Sequence, residues 1–199
     1  MGQDYEKGLF LGKIEDLLRK INNRLKKMQA TFIFSGAIAA NVYRTVPRAT
    51  MDLDIAIPFN AIFLDRLKKN FQDFEILDWD LLKKRLAIKK EHPDVIVPEI
   101  LKLKDPSGFE VDFFPLYSKY LIRKRTAKIE DFSIDVIGPE DLILLKSLFN
   151  RYKDSDDIVN ILENSNLKLD LNYIIDELQE LGKDEIITLV KKIRANELK

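Results

Sequence analysis

Apolar positions along the chain follow two rhythms, and the change from one to the other marks the elements. Between 9 and 28, Ile14, Leu17, Leu18, Ile21 and Leu25 recur at helical spacing with Lys and Arg between them. That spacing predicts an amphipathic helix laid over a core. Phe32, Ile33 and Phe34 then form a short bulky run, the pattern of a buried strand. Ser35 and Gly36 interrupt it, and small residues from about 37 to 45 read as a helix. A second strand is predicted over 51–57, ended by Pro58. Side chains alternate faces along a strand. Asp52 and Asp54 therefore share one face, while Leu53, Ile55 and Ile57 take the other.

Further along, 61–71 reads as a helix with Ile62, Leu64, Leu67 and Phe71 on one side, 74–77 as a short strand, and 80–90 as a basic helix. Two strands, 95–104 and 109–116, flank Asp105-Pro106-Ser107-Gly108. Pro pre-sets φ in such a turn and Gly is free to take φ > 0, so the pair is a hairpin. It carries Asp112 into the sheet, with Glu110 on the same face and Phe109, Val111 and Phe113 on the other. Residues 117–128 are basic, and 129–137 holds a short strand. Gly138-Pro139 opens a helical region read as 139–149, 155–163, 170–181 and 184–195, Pro being suited to the first helical position. The chain thus divides into a mixed α/β part, 1–137, and a helical part, 138–199, packed on it.

Composition narrows the function classes. The 199 residues suffice for a sizeable core, and 46% of them are hydrophobic. Lys plus Arg and Asp plus Glu number 33 each, so the net charge is zero. That balance argues against a general nucleic-acid coat protein. The basic clusters, Lys83 to Lys90 and Lys119 to Lys128, are either solvated faces or a surface for an RNA acceptor. With no cysteine there is neither a disulfide nor a thiolate metal site. Nothing resembles a signal peptide or a membrane span, so the expectation is a soluble, cytoplasmic protein with no membrane partner.

The chemistry gathers around the acids. Two carboxylates side by side repel, which raises one pKa, and a hard divalent cation such as Mg²⁺ relieves the repulsion. Ser35-Gly36, where a strand becomes a helix, suits phosphate: helix N-terminal N–H groups favour anions and Gly permits close approach. A plain helix cap fits the same residues. Arg44 and Arg48 lie between this turn and the acid pair, either reaching phosphate or solvated. His92 reads as an exposed loop residue.

The order of apolar strand, Ser-Gly turn, helix and Asp-x-Asp strand resembles the nucleotidyltransferase superfamily. The likeness extends to Phe109-Glu110-Val111-Asp112, Pro139-Glu140-Asp141-Leu142 with Lys146, and Arg151-Tyr152-Lys153-Asp154-Ser155-Asp156-Asp157. It covers about 30 to 163 and sits nearest the branch of AbiEii-type toxins and small uncharacterised prokaryotic nucleotidyltransferases. The family usually places Gly before Ser or Gly, whereas here Ser comes first. The resemblance implies an α/β (α+β) fold, a mixed sheet flanked by helices. It implies transfer of a nucleoside monophosphate from an NTP, ATP among them, to an acceptor with release of pyrophosphate. Asp52, Asp54 and Asp112 would be the catalytic, metal-binding acids, holding two Mg²⁺ or Mn²⁺ ions. Ser35, Gly36, Arg44, Arg48, Lys146 and Lys153 would bind the nucleotide, with Asp157 a lesser member of the constellation of Lys146, Arg151 and Lys153, and Glu110 peripheral. Asp154 or Ser155 would otherwise cap the following helix. The acceptor stays open among RNA, protein and small molecule, and membership of a toxin–antitoxin pair would imply an antitoxin partner. A non-catalytic nucleotide- or partner-binding module of the same fold, and a metal-dependent phosphohydrolase, are the alternatives.

Overall fold

A computed structural model describes residues 13–95, 97–149, 151–195 and 197. In chain order its elements are α1 (Lys13–Lys27), β1 (Ile33–Phe34), α2 (Gly36–Tyr43), β2 (Asp52–Ile57), α3 (Ala61–Asn70), β3 (Glu75–Ile76), α4 (Trp79–Glu91), β4 (Leu101–Lys104), β5 (Glu110–Pro115), α5 (Ser118–Ile122), β6 (Arg125–Ile129), β7 (Phe132–Val136), α6 (Pro139–Phe149), α7 (Tyr152–Glu163), α8 (Leu171–Glu180) and α9 (Asp184–Ile193). Among the described residues the strands form one mixed sheet of seven, ordered β3-β4-β5-β2-β1-β7-β6. β2 and β5 run parallel at its centre, while β4 and β1 flank them antiparallel. This is the α/β architecture, a mixed sheet flanked by helices, that the resemblance implies.

The alternation along β2 comes out as the sequence pattern requires. Leu53, Ile55 and Ile57 are fully buried in the core, and Asp52 and Asp54 stay on the partly open face. α1 buries Ile14, Leu17, Leu18, Ile21 and Leu25 in the same core; the start of the helix expected over 9–28 lies outside the described residues. Arg24 and Lys20 fasten α1 to Asp73, at 2.5 and 2.8 Å, and Arg66 of α3 donates to the Met28 carbonyl.

Several expectations are corrected. The strand expected over 95–104 shrinks to β4, because Pro98 offers no N–H to a ladder; Ile96 is outside the described residues. Ile62 is 77% exposed rather than on the buried side of α3. The basic stretch 117–128 contains α5 and the start of β6, where Ala127 and Ile129 face inward between exposed Arg125, Thr126 and Lys128. α7 begins at Tyr152 with Arg151 at its cap position, so Asp154 and Ser155 lie inside the helix and cap nothing.

The helical half is joined to the sheet by buried bonds. Ile137 N–H continues the β1–β7 pairing to the Phe34 carbonyl at 2.9 Å. Tyr43 donates to the Ile137 carbonyl at 2.6 Å, and Asn164 donates to the Tyr43 carbonyl at 2.7 Å. α6 and α7 both pack on α2. The end of α2 and the start of α7 are thereby brought over the acidic face.

Candidate active site

Gly36 fixes the turn after β1. Ser35 is extended, with φ −134°, and Gly36 takes φ +56° to enter α2. A Cβ at Gly36 would lie 1.7 Å from Asp54 Oδ2. Glycine is therefore needed twice, for the left-handed backbone and for the approach of the carboxylate. Ser35 N–H donates to the Asp54 carbonyl at 2.8 Å, so turn and acid strand are also joined through their backbones. Ser35 stands at the cap position, yet its side chain makes no capping hydrogen bond. The first N–H groups of α2 have no partner within the helix, and they open beside Asp54.

Register brings the three acids together. The parallel β2–β5 pairing sets Asp54 beside Asp112 and Asp52 beside Glu110. Neighbouring strands are about 4.8 Å apart. Burial, then the charges of Asp52 and Asp112, push the Asp54 carboxyl up to about 6, against the pull of Lys146 and Lys153. Burial opposes ionisation of Asp52 too, but the Thr50 hydroxyl, Lys153 and Arg48 outweigh it and hold this group below the usual carboxylate range. Thr50 Oγ donates to Asp52 Oδ1, and Lys153 Nζ lies 3.6 Å from Asp52 Oδ2. Burial raises Asp112 despite Lys102, whose Nζ sits 2.7 Å from Asp112 Oδ2.

The remaining cations are organised by Asp157, which is completely buried. Arg48 grips it with two bonds of 2.9 Å, Lys146 approaches to 2.7 Å, and Arg44 Nη1 donates to it as well. Lys146 also meets Asp154 at 3.1 Å, and Arg151 meets Asp154 at 2.5 Å. Arg44 and Lys146, expected as phosphate contacts, have their heads in this buried cluster, paired with Asp154, Asp156 and Asp157. Arg48 is partly exposed, and with Lys153 it lines a cavity of about 390 Å³ shared with Thr50, Asp52, Gly108 and Glu110. A larger cleft of about 610 Å³, lined by Asp65, Lys68, Phe71 and Phe74 among others, includes none of the three acids.

Thr50, read from sequence as a packing or hydrogen-bonding residue, hydrogen-bonds Asp52; Lys102 and the organising role of Asp157 were not singled out. For Lys102 a signal existed: Leu101-Lys102-Leu103-Lys104 alternates, and the turn fixes its pairing. Asp105 Oδ1 accepts from the Ser107 and Phe109 N–H groups, so Lys104 meets Glu110 and Lys102 meets Asp112. Among the basic clusters, Lys89 pairs with Glu99, Lys119 with Glu177 and Lys124 with Asp135. These partners reduce the positive field available to an RNA.

Among the described residues no group of three or more carboxylate, His or Cys side chains is drawn together as a metal cage. The donor set still suits a hard divalent cation. Asp112 Oδ1 is buried without a hydrogen-bond partner, and the charges of Asp52 and Asp112 act on Asp54 against Lys146 and Lys153, a repulsion a cation would relieve.

A strand–turn–helix with its glycine against the first acid strand, and a third acid on the neighbouring parallel strand, is the arrangement that the resemblance to the nucleotidyltransferase superfamily implies. Residues 110–195 match the family described as "Nucleotidyl transferase of unknown function (DUF2204)", a span that includes Asp112, Lys146 and Lys153. Nucleotidyl transfer is the activity class this description names. The chain is similar in fold to the lincosamide antibiotic adenylyltransferase LnuA, solved with lincomycin bound: TM-score 0.51, 16% identity, 74% of this chain and 95% of that one. It is similarly close to an antigenic nucleotidyltransferase-like protein from Paracoccidioides brasiliensis: TM-score 0.51, 18% identity, 91% of this chain and 93% of that one. No curated protein matches it in sequence. No helix among the described residues is long and apolar enough to cross a membrane.

Proposed function

We propose that the chain transfers a nucleoside monophosphate from an NTP to an acceptor, with release of pyrophosphate, using divalent metal at Asp52, Asp54 and Asp112. The observation that carries this reading is the pairing of Asp54 with Asp112 across β2 and β5, beside a glycine that leaves room for nothing but the Asp54 carboxylate. When bound, the metal would neutralise charge on the reacting phosphates and lower the pKa of the attacking hydroxyl. The chain's own residues do the positioning. Ser35, Gly36 and the first N–H groups of α2 receive the leaving phosphates. Lys153 and Arg48, at the mouth of the cavity, face the triphosphate. Asp112 takes the proton of the acceptor hydroxyl. Arg44 and Lys146 act at one remove, by keeping Asp157 charged and Arg48 in place.

Small hydroxylated acceptors fit the fold likeness to an antibiotic adenylyltransferase, though likeness at 16% identity extends to fold alone. RNA and protein hydroxyls remain acceptor classes, and an antitoxin partner belongs with the toxin version of this reading. One observation favours the non-catalytic module: Lys102 already occupies Asp112. Incubation with each α-³²P NTP, a total cell extract and Mg²⁺, with RNase and protease treatment in parallel, separates the two. Label retained in one fraction, lost with Asp54→Asn, supports transfer and names the acceptor class. Equal labelling by wild type and Asp54→Asn, or none by either, would sink it. Release of orthophosphate instead of pyrophosphate would make the protein a phosphohydrolase.

A further inference from the structure

The acidic rows do not end at β5. β4 sets Lys102 opposite Asp112 and Lys104 opposite Glu110. Across three strands the lateral rows therefore read Asp54–Asp112–Lys102 and Asp52–Glu110–Lys104. The two lysines differ. Lys104 is exposed, and no ion pair to it is formed by Glu110 among the described residues. Lys102 is partly buried and bonds Asp112 at 2.7 Å, with only 20% of the Asp112 side chain exposed. Leu101 and Leu103, on the other face of β4, are fully buried. Their burial fixes the pleat, so the stem of Lys102 cannot be turned away without exposing a core strand. Lys153 makes a weaker claim on Asp52: the contact is 3.6 Å and the lysine side chain is 46% exposed, on a helix surface.

A divalent ion shared by Asp54 and Asp112 would meet the Lys102 ammonium already seated on Asp112. Like charges at that range repel strongly in a partly buried site. Asp112 is also half-satisfied: Oδ2 has the ammonium and only Oδ1 is without a partner.

We propose that Lys102 stands in for a second metal ion, so that the site holds one divalent ion, on Asp52 and Asp54, with Asp112 kept as the ion-pair partner of Lys102. This rests on the metal-dependent transfer proposed above; it replaces the two-ion count that the family resemblance implies and moves Asp112 from metal ligand to ion-pair partner. Lys102 is on this view a positioning residue for Asp112, and the readout is the number of bound ions.

The test is a Mn²⁺ titration of the full chain with α,β-methylene-ATP, following free Mn²⁺ by electron paramagnetic resonance and subtracting the analogue alone. Wild type is expected to bind one ion. Lys102→Met is expected to bind two, or to tighten a second ion at least ten-fold. Lys102→Arg, which keeps the cation, and Lys104→Met, which changes the neighbouring row, are expected to stay at one. Thermal melting of each variant accompanies the titration, and Lys102→Gln gives the same comparison where Lys102→Met unfolds. Two ions on wild type, or a count unchanged by either Lys102→Met or Lys102→Gln, overturns the inference while leaving metal-dependent transfer intact. If wild type binds none, as Asp54→Asn is expected to, the metal reading fails and this inference with it.

Discussion

At the scale of single residues the site depends on contacts that leave no room. Gly36 has both a positive φ and an Asp54 oxygen where a Cβ would be. Gly36→Ala should therefore cost about 1–2 kcal/mol for the left-handed backbone alone. It should also drive the Asp54 carboxylate off its position, lowering Mn²⁺ affinity at least ten-fold. Melting curves and Mn²⁺ titration of the same sample check both; unchanged metal affinity would mean that Asp54 is not a ligand. Thr50 acts on Asp52 more gently, through the hydroxyl that donates to Oδ1 and favours the charged carboxylate. Replacing a hydrogen-bonding partner behind a metal ligand typically weakens metal affinity about 10–100-fold. Thr50→Val, nearly isosteric, is expected in that range with melting almost unchanged.

At the scale of elements, the local patterns read well and the partners read poorly. β2 was legible because its alternation is strict: a residue and its second neighbour must share a face, which placed Asp52 beside Asp54 before any fold was known. The Ser35-Gly36 turn and the hairpin at Asp105 were legible for the same local reason. What the one-dimensional pattern omits is which strand lies beside which. The pairing of β2 with β5 decides that Asp112 meets Asp54, and only the family resemblance anticipated that. Long-range ion pairs were hidden more completely: nothing near Arg44 announces an Asp156 or Asp157 more than a hundred positions away. The hairpin turn tests how far register controls the site. Asp105 Oδ1 accepts two backbone N–H groups, and Gly108 has φ +92° with its nearest foreign atom at 3.9 Å. Asp105→Ala should lose about 1–2 kcal/mol in urea unfolding with the slope m unchanged. A fall in m would show instead that β4 and β5 no longer close.

At the scale of the molecule, Asp157 joins the two halves of the chain. It is the buried anion on which Arg44 and Arg48, from the loop before β2, meet Lys146 from α6. Burial opposes its charge, but the bonds from Arg48 and Lys146 win and hold the carboxyl down at about 2. In the unfolded chain an aspartate titrates at about 3.9. The folded pKa is the lower one, so the unfolded state takes up protons first as pH falls. This group's contribution is nearly complete above about pH 4 and is lost as pH drops through about 2; its size is about 2–3 kcal/mol. Asp157→Ala removes the anion and leaves three buried or half-buried cations facing one another. Loss of one member of such a cluster costs about 3–5 kcal/mol, a large share of the stability of about 5–15 kcal/mol typical of a domain. Asp157→Asn keeps the shape and two of the acceptor positions while deleting the titration. Between pH 5 and 2, wild type should lose about 2 kcal/mol more than Asp157→Asn, because only wild type has this carboxylate to protonate. The check is urea unfolding at closely spaced pH values, with the difference between the two proteins taken at each pH, so that the other acids cancel. Parallel curves would mean that the cations of 44–48 and 146 are neutralised elsewhere, and that the helical half is held to the acid strand by packing alone.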